Sequence, residues 1–356
     1  MFDSIYNKRK CLITGDTGFK GSWLRFWLEE LGAEVCGVAL PLEGTAHYKL
    51  LGRRENSFFC DIRDLKALQE IFSTFQPEIV FHLAAQPLVR FSYREPVETF
   101  AVNVMGTANL LECCRNTPSV RSSVIVTTDK CYENPENGVP FTENSPLGGY
   151  DPYSGSKAAA EMVFSSYNRS YFIPEKRIFC ASARAGNVIG GGDWAPDRLI
   201  PDLVRGATAG ACTKLRNPQA VRPWQHVLEP LSGYLQLGAG LFQEKEEYSG
   251  SWNFGPADND TLTVGEVAQM MGARWEKMRF EIEEEKNAPH EAALLRLDCS
   301  KAAKLLNWQG VWNAGTTVER TVEWYRAFYE EQRLMTEQDL AAYCSEAEKR
   351  GLPWTR

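Results

Sequence analysis

Two kinds of hydrophobic pattern alternate along the first half of the chain. KCLIT, EVCGVAL, NSFFCDIRD, EIVFHLAAQ and SSVIVTT are short apolar runs of strand length. Between them GSWLRFWLEELGAEV, DLKALQEIFSTFQ and EPVETFAVNVMGTANLLECCRNT place apolar residues every three or four positions, the spacing of a helix with one buried face. The first of these loses its periodicity at Gly32, a stop signal. Strand and helix repeat at about 30-residue spacing, which predicts a doubly wound parallel sheet with right-handed crossovers. In such a sheet ligands bind beyond the carboxyl ends of the strands. A sixth strand and a glycine-rich turn, IFCASARAGNVIGGG, follow Arg177, and from there the alternation becomes irregular.

The turn after the first strand, GDTGFKG, separates it from the first helix. Gly15, Gly18 and Gly21 have the G-x-x-G-x-x-G spacing that suits a tight turn, close approach of backbone to a pyrophosphate, and anion binding at a helix N-terminus. Thr17 and Phe19 fall inside the same loop, as does Lys20, which either adds charge near the phosphates or is simply solvated. Asp61 and Ile62 end the third strand at positions suited to an adenine edge, and Leu83, Ala84 and Ala85 follow the fourth, where small side chains let a cofactor lie close. The second strand breaks the usual pattern. An acid that grips the adenosine ribose is expected at its end, yet it closes Ala39-Leu40-Pro41, and the nearest acid is Glu43. No arginine stands there to hold a 2'-phosphate, so the reading favours NAD over NADP. The expected organisation is a Rossmann domain over residues 1–189 with a returning segment at about 256–284. A smaller mixed α/β domain is expected from 190–255 and 285–356.

Asn103 sits inside a helical pattern, where an asparagine is expected to be exposed or bonded locally. A net charge of -7 with well-mixed signs argues against nucleic acid or an anionic membrane as the main partner. No apolar run reaches the roughly eighteen residues of a membrane span, and the N-terminus lacks a signal-peptide core, so a cytoplasmic protein is expected. The ten cysteines are scattered, without C-x-x-C spacing, and read as small buried hydrophobes; the four histidines are far apart, and no metal site is expected.

The candidate chemistry lies in two short stretches. Tyr153 precedes Lys157 by four residues at the start of a helical pattern, so the two side chains share a face. A phenol, with a reference pKa of about 10, is a poor base at neutral pH; a neighbouring ammonium favours its phenolate. Such a tyrosine can take a proton from a hydroxyl whose carbon gives hydride to a nicotinamide. Thr128, Asp129 and Lys130 close the fifth strand at the same functional edge.

With GDTGFKG, HLAAQ, TTDKCY, YSGSK and RAGNVIGGGDW in this order, the chain resembles the extended short-chain dehydrogenase/reductase family of nucleotide-sugar enzymes along nearly all its length. GNVIGGGDWAPDRLIPD, RPWQHVLEPLSGYL and PHEAALLRLDCSKA resemble the branch acting on CDP-glucose. The resemblance implies bound NAD, a lyase reaction at C4, C5 and C6 of a hexose, and a homo-oligomer, a dimer or dimer of dimers. By the same resemblance Thr128, Asp129, Lys130, Tyr153 and Lys157 are catalytic. Asn103 joins the glycine loop, Asp61, Ile62 and Leu83 to Ala85 at the cofactor, and Gln86, Asn187, Arg198, Arg222 and His290 face the substrate. Asp129 serves the C6 hydroxyl. Other dehydratases of the family carry a glutamate where this chain has Lys130, which acts either as the C5 base or as a cation stabilising the enolate. Another sugar-nucleotide dehydratase, a 4-epimerase, and a silent NAD-binding member are the competing readings.

Overall fold

The structure is a computed structural model that describes residues 1–42, 44–52, 56–257, 260–283 and 295–356. Its centre is a seven-stranded sheet. The elements leading into it are β1 (Lys10–Thr14), α1 (Phe19–Glu30), β2 (Glu34–Ala39), α2 (His47–Leu51), β3 (Ser57–Phe59), α3 (Leu65–Phe75) and β4 (Ile79–His82). There follow α4 (Val89–Arg94), α5 (Pro96–Phe100), α6 (Gly106–Asn116), β5 (Ser122–Val126), α7 (Pro152–Tyr167) and β6 (Phe179–Ala185). The seventh strand is Gly250–Phe254, and the sheet order runs from it through β6, β5, β4, β1 and β2 to β3, every pair parallel.

The inner strands β1, β4, β5 and β6 are buried on both sides, whereas the edge strand β3 is largely exposed. In β1, Cys11 and Ile13 join one apolar cluster while Leu12 joins the other, so a continuous apolar run, rather than alternation, is what a covered parallel strand requires. The chain changes winding direction between β1 and β4, which opens the crevice at the carboxyl edge.

The returning stretch is displaced from the expected 256–284. Strand Gly250–Phe254 pairs with β6, and the helix Leu228–Phe242 packs on the sheet behind β4, β5 and β6, so residues within the expected 190–255 substrate segment complete the first domain. That helix is buried nearly all round, which hides its amphipathic signal and made it illegible as a sheet-covering element. The smaller region has its own parallel pair, Cys212–Leu215 with Arg279–Ile282. Most cysteines are buried, as a small hydrophobe would be; Cys212 is exposed. Among the described residues no helix is long and apolar enough to cross a membrane.

The chain ends close on each other. Phe2 stacks on Trp354 with ring centroids 5.4 Å apart, Trp354 stacks on Tyr343 and meets Trp27 of α1 edge-on, and Asp3 donates its backbone N–H to the Arg356 carbonyl at 3.0 Å. Trp354 is 2% exposed. Trp354→Ala is expected to cost about 3–5 kcal/mol of stability, the range for emptying a buried aromatic site, read as a lower urea midpoint with an unchanged slope.

Candidate functional site

Local sequence builds the cofactor end. Gly15 has φ +76, and a Cβ there would lie 2.7 Å from the Ala84 nitrogen, while one on Gly21 would lie 2.0 Å from the Gly15 carbonyl oxygen. The turn therefore closes only without side chains. Gly18 caps α1 with no side chain to accept from the first-turn N–H groups, which leaves those donors facing the cleft. The donor set fits a pyrophosphate.

The cleft at the strands' carboxyl edge has a volume of 1520 Å³, beyond the roughly 300–1,000 Å³ of a single drug-sized pocket and large enough for two nucleotide ligands. Gly15, Thr17, Gly18, Phe19 and Gly21 line one end, with Asp61, Ile62, Leu83, Ala84 and Ala85. Thr128, Lys130, Tyr153 and Lys157 line its middle, and Asn187, Arg198 and Arg222 the other end. Asp61 spends its carboxylate on Arg63, with contacts of 3.0, 3.0 and 2.6 Å, so adenine would meet mainly the backbone there. At the end of β2 the Leu40 carbonyl accepts from Thr17 at 3.3 Å.

Of the expected residues, Asn103, Gln86 and Asp129 do not line the cleft. Asn103 is buried, contrary to expectation, because residues Ala101–Met105 form a wide π-helical turn that rotates it inward. It binds both backbone groups of Gln86, at 2.8 and 3.1 Å, and donates to Ser156 Oγ at 2.8 Å. Gln86 turns its amide to Leu88 and Thr99 instead of the cleft. Both hold the wall, and neither lines the cavity. His290 lies outside the described residues.

Behind this wall runs a polar chain with defined proton positions. Thr107 donates to the Asn103 carbonyl at 2.7 Å, so it accepts from His82 Nε2 at 3.1 Å. His82 Nδ1 is then the acceptor, and Thr14 donates to it at 2.6 Å while accepting the Ala84 N–H at 3.3 Å. Burial pushes His82 down to about 3, helped by Lys157, so the ring is neutral at working pH. The glycine turn and the Tyr153 helix are thereby linked through buried hydrogen bonds.

At the centre, Thr128 donates to Asp129 at 3.0 Å and accepts from the Lys130 N–H at 3.3 Å. Asp129 is fully buried, its Oδ2 has no partner among the described residues, and Lys130 Nζ is 4.0 Å from its Oδ1. A Cβ on residue 186 would fall 1.7 Å from that Oδ2, so Gly186 is what makes room for the carboxylate. Burial raises Tyr153 to about 12, against the hydrogen bond with Thr128 and the charge of Arg198, which lower it. Sequence reasoning has a neighbouring ammonium favouring the phenolate; in this cleft desolvation is the largest influence on Tyr153. Lys157 itself falls to about 8, driven by burial against Glu161 and Cys131, and its Nζ lies 3.5 Å from the Val126 carbonyl.

At the far end Asn187 holds φ 35, a left-handed value costly for a side chain, and its Oδ1 is buried without a partner among the described residues. Arg198 pairs with Asp193 at 2.8 Å and stays charged. Sequence reasoning left several lining residues unassigned. Lys20 is pulled down to about 7 by burial and by Lys157 and Arg198, and sits 3.4 Å from the Tyr234 hydroxyl. Arg90, His47, Trp194 and Arg216 also line the cleft; of these only Trp194 falls in a motif string, RAGNVIGGGDW.

The family model for GDP-mannose 4,6 dehydratase matches residues 12–321. A CDP-glucose 4,6-dehydratase from Salmonella typhimurium is 44% identical over 351 residues, covering 96% of this chain and 98% of that protein. Among solved structures, the UDP-glucose 4-epimerase of Thermus thermophilus in complex with NAD superposes with a TM-score of 0.75 at 27% identity, covering 89% of this chain and 99% of that one. DesIV, the dTDP-glucose 4,6-dehydratase of Streptomyces venezuelae with NAD and TYD bound, gives 0.74 at 25%, covering 91% and 100%.

Gly186→Ala tests the packing around the buried carboxylate. The protein is expected to fold with a loss of about 1–3 kcal/mol, typical of overpacking, and to lose at least tenfold in turnover while dinucleotide binding by calorimetry is retained.

Proposed function

The chain belongs to the GDP-mannose 4,6-dehydratase family of extended short-chain dehydrogenases/reductases, and on that premise we propose that it is a lyase converting CDP-D-glucose to CDP-4-dehydro-6-deoxy-D-glucose and water. The observation that carries the substrate is the 44% identity, over nearly the whole of both chains, to a protein of that activity. NAD is the cofactor, as in the similar epimerase and dehydratase structures, held by the glycine turn, Asp61, Ile62 and the Leu83 to Ala85 segment. The chemistry it supplies is reversible hydride transfer, out of C4 and back to C6, so no net redox equivalent is consumed.

The residues divide the proton work. Tyr153, once a phenolate, takes the C4 hydroxyl proton, and Thr128 turns its hydroxyl from Asp129 to the C4 oxygen, steadying the ketone as it forms. Lys157, as an ammonium, favours the phenolate form in which Tyr153 can accept that proton. The C4 ketone acidifies C5. Asp129 protonates the C6 hydroxyl, which leaves as water, while Lys130 either removes the C5 proton or, as a cation, stabilises the enolate while another group takes that proton. C5 regains a proton in the final step. Asn187, Arg198 and Arg222 hold the diphosphate, where the planar forks of the two arginines suit paired bonds to phosphate oxygens.

The second subunit of a homodimer covers the outer face of α5 to α7. Val97 is 82% exposed, and Phe100, Met105 and Met162 are exposed on neighbouring elements, apolar surface that a monomer would leave to water. The reaction takes place in the cytoplasm, and the product suits 6-deoxyhexose biosynthesis for lipopolysaccharide O-antigen.

Incubation with CDP-, dTDP-, UDP- and GDP-glucose decides the assignment. CDP-glucose alone is expected to yield a 4-keto sugar with a C6 methyl group and base-dependent absorbance. Epimerisation would keep the C6 oxygen, and NAD binding without any turnover would favour a silent family member. Tyr153→Phe should bind NAD normally and lose several orders of magnitude in kcat. Val97→Glu combined with Met162→Glu is expected to shift the sedimenting species from dimer to monomer.

A further inference from the structure

One buried cluster beneath the cleft has no part in the scheme above. Glu161 lies one turn beyond Lys157 on the inner face of α7 and is 1% exposed. Its Oε1 accepts from Thr127, the residue before Thr128. Its Oε2 accepts from Ser182 at 2.8 Å, from Ser251 at 3.3 Å and from Arg184 Nη2 at 2.7 Å. Ser182 and Arg184 are alternate residues of β6, and Ser251 is the register partner of Ser182 on the neighbouring strand. One carboxylate therefore joins the end of β5 and two further strands to the helix that carries Tyr153 and Lys157. Arg184, 3% exposed, is held in turn by the Tyr132 hydroxyl at 2.7 Å and the Glu143 carbonyl at 3.2 Å.

We propose that Glu161, balanced by Arg184, is a positioning residue of the reaction: it sets the spacing between the Thr128 segment and Tyr153 and determines how firmly Lys157 keeps its positive charge. The inference rests on the roles given to Tyr153 and Lys157 above. The charge component follows from the surroundings of Lys157. On its own helix it feels Glu161; from the segment after β5, Cys131; from α1, Lys20; and from β4, His82. Cys131 is pushed far up by burial and stays a thiol, and His82 is neutral. Lys20, down at about 7, has lost much of its charge before Lys157 titrates. Glu161 is thus an anion acting directly on Lys157 from the same helix face. Burial would raise its own pKa, but Arg184, Thr127 and Ser182 hold it below the usual carboxylate value, so it remains charged.

The sign of the effect can be read in a pH profile. Activity requires Lys157 as an ammonium and is lost as pH rises through its pKa, so the alkaline limb of kcat reports that group. Glu161→Gln removes the anion and strands the Arg184 cation. The limb is expected to move down by about one pH unit or more, the usual scale for losing a close opposite charge. Glu161→Asp keeps the charge but shortens the reach; its limb should stay in place while kcat falls about tenfold through misplacement. Glu161→Gln with Arg184→Met removes the pair together and should bring the limb back towards the wild-type position. A uniform fall in kcat with an unmoved limb in Glu161→Gln would make Glu161 a strut and overturn the charge role, as would a double variant whose limb stays with the single. The ε-carbon resonance of labelled Lys157, assigned by its loss in Lys157→Arg, follows the same titration without substrate. Should CDP-glucose not be turned over at all, the proposed reaction fails while this titration still decides on Glu161.

Discussion

Everything at the functional edge depends on the buried side chains that tie α7 to the ends of β5 and β6. Tyr153, Lys157 and Glu161 recur every four residues, and all three are buried with the small residues Ala158 and Ala160 beside them. A helix packed this close on a parallel sheet excludes water from its polar face, so each polar group there needs a protein partner. The Glu161 and Arg184 pair meets that demand from below, and the ligand cleft meets it from above. Such a buried pair adds little net stability, but losing one partner leaves an uncompensated charge.

The same exclusion of water governs the electrostatics of the cleft. Burial drives Tyr153 up and Lys157 and Lys20 down; Lys157 and Arg198 push Lys20 further down, whereas Glu161 and Cys131 oppose the fall at Lys157. A tyrosine held that high is quiet until something changes its surroundings. The proton on it is therefore controlled by what enters the cleft, by Thr128 beside it, and by the charge Lys157 retains. Asp129 adds to this from a niche that only a glycine at position 186 leaves open.

Support for the cleft comes from far along the chain. His82, Thr14, Thr107 and Asn103 connect the glycine turn to the catalytic helix by hydrogen bonds whose direction is set at each step. On the opposite side His47 bonds both Ser22 of α1 and Thr336, at 2.8 Å each, and stacks on Trp23. Thr336 begins the helix Thr336–Lys349, which lies beyond the stretch matched by the family model, so a segment far along the chain braces the helix that starts at the glycine turn.

The order of strands and helices, the glycine turn and the pairing of Tyr153 with Lys157 were legible in the sequence, because each depends on residues close together in the chain: apolar periodicity, backbone freedom at glycine, and one helical turn of spacing. The longer motif strings carried the family as well. What the sequence left open depends on contacts between distant segments. Asn103 reads as an exposed helix residue until a wide turn rotates it inward; Gln86 reads as a substrate contact until Asn103 claims its backbone; and the stretch from 228 to 254 joins the sheet only because β6 offers it a free edge. The lowered pKa of Lys157, the raised one of Tyr153 and the anchoring of Glu161 belong to the tertiary structure alone, since desolvation is a property of what packs around a group and is not written beside it in the chain.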